Sequence, residues 1–387
     1  MIDQMSMRVQ RARELAGMRG YEGLLIVGRA PDRNGDLAYL CGHVPMMAGH
    51  PSRFALRGRG LGLLYIPTDS KVAPQLAVTT PFFVPGHGIG RTVINPNVVA
   101  AATDILEEAG ARKQTVGLVG MDIISAMNYA ELVHFNPTVR FVEADDLVMN
   151  MRAVKDEREL AALRTGSRFA DEVGELLRER IVPGATEIEL SDFIISEMTK
   201  RGASHGFATC QSGVERSGEP FLFPAATSRV LRDGDLVHME INGRYEGYKI
   251  DICRSTVVGK QTKEAVHLLE TVLTMLEKSV AAIAPGVLAE DLEAIANDVA
   301  EKAGYVGKFA FGYGGPGTYL GHGIGLGVDE PPIIAKGEKT YLRPGMVLTI
   351  EPGLYRTPAG GARIEDEVLV TANGCEVITK LERRWWR

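Results

Sequence analysis

The sequence predicts an α/β domain over residues 1–150 followed by an α+β domain over residues 151–387. Three observations lead there. Short apolar runs alternate with helical spacing through the first 150 residues, which argues for a sheet flanked by helices. From Met151 the pattern changes to two long amphipathic stretches, then strand-like runs, then two more helices and a return to strands. At 387 residues the chain also exceeds one ordinary core, since domains usually run to roughly 100–250 residues.

In the first part, residues 7–18 have helical spacing, with Arg8, Arg11 and Arg13 set among Val9, Ala12, Leu15 and Ala16. Strand-like runs follow at 24–27, 61–66, 76–80 and 116–119, and helical ones near 98–106 and 123–133. The boundary falls at 148–155. Residues 156–180 read as one amphipathic helix with the stripe Leu160, Leu163, Phe169, Val173 and Leu177, stopped by Pro183-Gly184. A second helix is predicted over 187–200, burying Ile188, Leu190, Phe193, Ile194 and Met198. Strands and hairpins are expected from 207 to 258, with Asn242-Gly243 reading as a hairpin turn. Helices over 263–283 and 289–303 and strands at 347–350 and 368–370 complete the chain.

Composition removes several function classes. The formal net charge of −6 argues against nucleic acid as a partner. The terminal Arg383-Arg384-Trp385-Trp386-Arg387 reads as a packing or dimer contact. No apolar run approaches the roughly 18 residues of a membrane helix, and Met1-Ile2-Asp3-Gln4-Met5 lacks the features of a secretion signal. Cys41, Cys210, Cys253 and Cys375 are widely spaced with no C-x-x-C pair, which fits a reducing cytoplasm.

The chemistry concentrates in one imidazole and four carboxylates: Glu240, Asp251, His322, Glu351 and Glu365. Glu240 and Asp251 lie eleven positions apart (251 − 240), on runs joined around Tyr245-Glu246-Gly247-Tyr248. A paired hairpin puts both on one face. His322 is flanked by glycines, which lets backbone approach and leaves the ring unshielded. Each residue alone reads as a surface charge or a structural histidine. Four carboxylates gathered together repel and are costly to desolvate, and a bound cation is the usual remedy. An oxygen-rich set with one His suits a divalent transition metal: Mn²⁺, Fe²⁺ or Co²⁺ is favoured, with Zn²⁺ also compatible.

The ordered series Gly-Asp-Leu-Val (234–237), Gly-Tyr-x-x-Asp-Ile (247–252), Gly-His-Gly-Ile-Gly-Leu (321–326), Glu-Pro-Gly (351–353) and Arg-Ile-Glu-Asp (363–366) resembles the M24 metallopeptidase family. That family includes Xaa-Pro aminopeptidases, prolidases, methionine aminopeptidases and creatinase. The resemblance covers the whole chain. It implies a creatinase-type N-terminal domain, a pita-bread catalytic domain and a homodimer. A second Gly-His-Gly-Ile-Gly at 86–90 lacks the later motifs and reads as a loop. By motif, Asp251 and Glu365 match carboxylates that bridge two metals, and His322 and Glu351 match ligands of one of them. Glu240 stands where the other metal's aspartate would be. Glu351 also matches the proton acceptor for an attacking water. The implied activity is hydrolysis of an amide or other C–N bond in a small molecule or short peptide.

Three departures bear on the reaction. Glu240 is one methylene longer than aspartate, which shifts its oxygens by about an ångström or more and predicts either one ion or two with a weakened position. Asn242 brings an amide towards the site. Phe223 and Asp329 fall where two substrate-handling histidines are expected, and losing one such donor typically costs on the order of 10²–10³ in rate. Xaa-Pro hydrolysis itself is thereby put in question. Gly-Leu-Gly-Val-Asp-Glu-Pro (325–331) is also similar to a segment of M24-fold dimethylsulfoniopropionate lyases, which gives an alternative with Asp329 as base. A non-catalytic binding protein on the same fold is the third reading. Around the site, Tyr248 is a candidate substrate contact against core packing, and Tyr319 likewise. His205 is a candidate pocket residue against a structural histidine, and Phe221 and Phe223 form an apolar wall. Arg363 is a candidate partner orienting Glu365, against a plain surface charge.

Overall fold

The computed structural model describes every residue except 1, 31–34, 46–59, 80–88, 112, 205, 220–221, 306–318 and 387. The chain divides into two compact units between Arg152 and Ala153.

The first unit opens with α1 (Ile2–Met18), β1 (Gly23–Arg29) and α2 (Gly35–Cys41), then β2 (Leu61–Pro67), β3 (Gln75–Val78) and β4 (Arg91–Ile94). It continues with α3 (Val98–Glu108), β5 (Thr115–Val119), α4 (Ala126–Phe135), β6 (Arg140–Glu143) and α5 (Asp145–Ala153). The six strands form one mixed sheet in the order β4-β3-β2-β1-β5-β6. Leu24, Leu25, Ile26 and Val27 are all buried, so central β1 is covered on both faces, which is why it reads as an unbroken apolar run. Asn97 caps α3 by accepting from the N–H groups of Val99 and Ala100. The loop reading at 86–90 concerns a segment that begins outside the described residues.

The second unit starts with α6 (Glu157–Arg178) and α7 (Glu187–Lys200), each opened by a capping box, Asp156 with Glu159 and Thr186 with Glu189. The α6 stripe predicted from spacing is buried throughout. On α7, Leu190, Ile194 and Met198 are buried, but Ile188 is 46% exposed. Residues two apart on a helix do not share a face, so Ile188 cannot join Leu190 in one stripe.

Next come β7 (Ala208–Ser212), α8 (Gly213–Ser217), β8 (Leu236–Tyr245) and β9 (Tyr248–Val257), with the three strands forming an antiparallel sheet. Asn242-Gly243 is not a turn. It lies inside β8, where Asn242 pairs with Asp251 and Gly243 with Ile250. The reversal falls at Glu246-Gly247, both at positive φ (49° and 91°), as a tight hairpin turn requires. Ten consecutive cross-strand pairs outweigh one local turn signal.

Helices α9 (Lys263–Ala281) and α10 (Ala289–Lys302) precede β10 (Gly321–Gly323), β11 (Glu330–Ile334), β12 (Val347–Ile350), β13 (Gly353–Thr357), β14 (Gly360–Arg363), β15 (Asp366–Thr371) and β16 (Gly374–Val377). A five-stranded sheet runs β11-β10-β12-β15-β16, and β13 pairs with β14. Leu268, Leu276, Leu292, Leu348, Ile350 and Val368 share one core between α9, α10 and this sheet. The basic terminal cluster is packing: Trp386 joins that core and Trp385 joins a second one with Val173 and Leu381. Arg383 pairs with Asp366 at 2.6 Å, and Arg384 with Glu270 at 2.6 Å.

Candidate metal centre

The β8–β9 register decides which side chains meet. Directly opposed residues of an antiparallel pair share a face. Asn242 opposes Asp251, Glu240 opposes Cys253 and His238 opposes Ser255, so these six line one side of the hairpin. Asp251 is held in place by its own backbone, whose N–H donates to Glu367 Oε1 at 2.9 Å. Ser167 donates to the other oxygen of Glu367.

His322 occupies the centre of β10, threaded between β11 and β12. A Cβ on Gly321 would lie 2.0 Å from the Thr349 carbonyl oxygen, and one on Gly323 would lie 2.5 Å from that of Pro331. Only glycine permits this approach. The consequence differs from the sequence expectation, since the His322 ring is buried rather than left open. Its Nδ1 lies 3.0 Å from the Gly323 carbonyl. That contact assigns the proton to Nδ1 and leaves the Nε2 lone pair facing inward.

Three carboxylates surround Nε2: Glu351 Oε1 at 3.2 Å, Asp329 Oδ1 at 3.3 Å and Asp251 Oδ2 at 3.8 Å. Ligand atoms of Asp251, His322 and Glu365 lie within 4.8 Å of one another. Glu351, just past the end of β12, has its backbone N–H on the Leu320 carbonyl at 2.9 Å, and its Oε1 accepts from Thr349 at 3.4 Å. Glu365 is fixed to β9 by its N–H on the Cys253 carbonyl at 3.0 Å.

Burial, with the neighbouring carboxylates second, raises the pKa of Asp251, Glu351 and Glu365 well above the usual range. Both oxygens of Glu365 are buried with no hydrogen-bond donor among the described residues. Buried carboxylate oxygens are nearly always satisfied. Two unsatisfied ones beside an inward imidazole lone pair make a donor set that fits a divalent cation.

The remaining candidates divide. Glu240 is turned to Arg363, whose guanidinium forms an ion pair with its Oε1. Asn242 Nδ2 donates to the other oxygen at 3.4 Å. Arg363 is fully buried, and a second guanidinium nitrogen lies 3.7 Å from Glu351 Oε2. It is therefore no surface charge: it meets Glu240 and Glu351, and its charge also acts on Glu365. Asp329 is brought to His322 but is 62% exposed. Phe223 is 99% exposed and forms no wall. The Tyr248 hydroxyl donates to Glu159 Oε1 at 3.2 Å and its ring packs beside Leu160 and Leu163. Tyr319 meets the His322 ring edge to face at 6.0 Å. His205 and Phe221 lie outside the described residues.

Sequence reasoning missed Thr349, Glu367 and Ser255. Strand alternation was the available signal: Glu367 is two residues from Glu365, and Ser255 is four from Asp251.

Residues 161–372 match the model of metallopeptidase family M24. A Xaa-Pro dipeptidase of Pyrococcus horikoshii is 34% identical over 275 residues, 70% of this chain and 76% of that protein. This chain belongs to metallopeptidase family M24. A putative dipeptidase of Bacillus subtilis is 32% identical over 314 residues, covering 78% of this chain and 84% of its own length. Among solved structures, a prolidase from P. horikoshii superposes with a TM-score of 0.82 at 26% identity, covering 98% of this chain and 99% of that one. Dipeptidase PepE from Mycobacterium ulcerans gives a TM-score of 0.83 at 26% identity, over 99% and 97% of the two chains. The M24 chain thus has an N-terminal α/β domain and a pita-bread catalytic domain. It is an M24-type metallohydrolase, and Asp251, His322 and Glu365 form a candidate site for its divalent cation.

Proposed function

We propose that the chain hydrolyses the amide bond of a dipeptide or similarly small substrate, with a cation held by Asp251, His322, Glu351 and Glu365. The observation that carries this reading is the buried, donor-free carboxylate of Glu365 beside Asp251 and His322. A divalent cation supplies charge stabilisation for the carbonyl oxygen and acidifies a water. Glu351 takes the proton from the attacking water. It then returns that proton to the leaving nitrogen. Thr349 orients Glu351, and the Gly323 carbonyl fixes the His322 tautomer.

The dipeptidase relatives support a short-peptide substrate. The oxygen-rich donor set favours Mn²⁺, Fe²⁺ or Co²⁺. Asp329, beside His322 where an imidazole is expected, points away from a strict Xaa-Pro preference and towards dipeptides or amides that need fewer donors. A dipeptide panel assayed with each metal tests this. Glu351→Gln is expected to lower kcat by about 10²–10⁴-fold, and turnover equal to wild type would overturn the assignment.

A second reading has one specific support, the exposed Asp329 carboxylate 3.3 Å from His322 Nε2, free to reach a substrate's acidic C–H. In that case the reaction is an elimination with Asp329 as base. An unsaturated product, lost in Asp329→Asn with metal still bound, would select it over hydrolysis.

A further inference from the structure

We infer that the buried Lys155–Glu330 ion pair sets the place of Asp329 in the site, by folding the loop that carries it. The inference rests on the metal-hydrolase reading and deepens it.

Residues 324–329 join β10, which carries His322, to β11, which begins at Glu330. Gly321 pairs with Ile334 and His322 with Ile333, but Gly323 then pairs with Glu330. The regular ladder is broken there, so it does not shape the loop. The start of the loop is tied to neighbouring strands. The Ile324 N–H donates to the Val347 carbonyl at 3.0 Å, and the Gly325 carbonyl accepts from the Lys249 N–H at 2.7 Å. Its middle is tied to the Glu330 carboxylate, whose Oε1 accepts from the Gly327 N–H at 2.6 Å. A Cβ on Gly325 would lie 2.7 Å from Oε2 and 3.1 Å from Oε1, so the chain wraps closely round this carboxylate and needs glycine to do so.

The carboxylate so enclosed belongs to a side chain only 5% exposed. A buried carboxylate without a countercharge is costly. Lys155 supplies that charge, with Nζ 3.4 Å from Oε2 on a side chain 1% exposed. The root of the lysine is fixed from both sides. Its N–H donates to the Gly345 carbonyl at 2.8 Å, Val154 bridges to Met346, and Asp156 caps α6 immediately after it. A cation on a rigid base thus holds the carboxylate, and the carboxylate holds the loop.

Asp329 is the residue this arrangement serves. Its side chain is 62% exposed, with Oδ1 3.3 Å from His322 Nε2. An exposed side chain has little packing to place it, so its backbone must be fixed instead. That backbone lies between the bonded Gly327 N–H and the buried Glu330. Lys155 and Glu330 are accordingly positioning residues that act through Asp329.

Hydrogen exchange followed by mass spectrometry on the metal-free full-length protein reads the loop directly. In Lys155→Met the segment 324–331 is expected to exchange roughly tenfold faster than in wild type. Lys155→Met/Glu330→Gln replaces the pair by neutral groups and keeps an oxygen for Gly327, so exchange is expected to return to within about threefold of wild type. Circular dichroism checks folding, and Glu330→Gln alone takes the place of Lys155→Met if that variant does not fold. Turnover of a dipeptide by the Mn²⁺-loaded enzyme gives the second readout. Lys155→Met is expected to lower kcat/KM by about 10–10²-fold. Made in an Asp329→Asn background, the same change is expected to alter it by less than about threefold, because Lys155 acts through Asp329. Unchanged exchange in the folded variant overturns the inference, since other contacts then hold the loop. A full loss that persists in the Asp329→Asn background also overturns it, since the effect then passes elsewhere. Absence of any dipeptide turnover in wild type defeats the hydrolase reading, and the exchange comparison then decides the inference by itself.

Discussion

Ser255 and Arg363 hold each other by a reciprocal pair of hydrogen bonds, hydroxyl to carbonyl at 2.7 Å and N–H to hydroxyl oxygen at 3.0 Å. Ser255 lies on β9, four residues beyond Asp251, and Arg363 ends β14, two residues before Glu365. This small contact therefore joins the two segments that carry carboxylates of the metal centre. Ser255→Ala is expected to leave buried backbone groups without partners, at about 1–3 kcal/mol of stability, and to weaken Mn²⁺ binding. Denaturant unfolding and calorimetric titration check the two effects, and an unchanged value in both would show that the strands are held together by other contacts.

Glu367 links the same region to α6. Burial raises its carboxyl from 4.5 to about 8 despite the hydrogen bonds from Ser167 and Asp251. The folded state keeps a proton that the unfolded chain has lost, so this group's stability contribution falls as pH rises from about 4.5 to about 8. Glu367→Gln retains an acceptor and carries no charge. Metal-free Glu367→Gln should show a flatter stability profile over that window than wild type. Glu367→Ala should lose stability across the whole range. Chemical denaturation at a series of pH values distinguishes them.

His238 gives the opposite slope. Burial and then the positive charge of Arg363 lower its pKa from 6.5 to about 3. The unfolded chain takes up a proton there first, so stability is present above pH 6.5 and is lost as pH falls towards 3. His238→Leu should reduce the acid sensitivity of unfolding between pH 6 and 4. An identical acid limb in wild type and variant would show that other groups control it.

Trp386 is buried in the α9–α10 core, and its indole N–H donates to Glu270 at 2.9 Å. Trp386→Ala is expected to cost about 3–5 kcal/mol through the cavity it leaves, while Trp386→Phe should cost less. Thermal unfolding measures both.

The site was legible where its chemistry is written in short motifs. His322, Glu351 and Glu365 stand beside glycine or within fixed runs, and Asp251 follows from the hairpin. The partners of Arg363 beyond Glu365 were not legible, because only tertiary packing brings Glu240 and Glu351 to it. The Asn242-Gly243 signal misled for a related reason. A two-residue propensity competes with ten cross-strand pairs and the burial of Ile241 and Ile252, and it loses. Ile188 was assigned to the buried face on apolarity, where helical phase excluded it. The alternation that places Ser255 and Glu367 was present but mute, since a serine and a third acid in a row announce no role until the opposing strand is known.

His322 is threaded between two neighbouring strands because Gly321 and Gly323 carry no side chain. Any larger residue at either position must push a whole strand aside, so the place of the imidazole is guarded by what its neighbours lack.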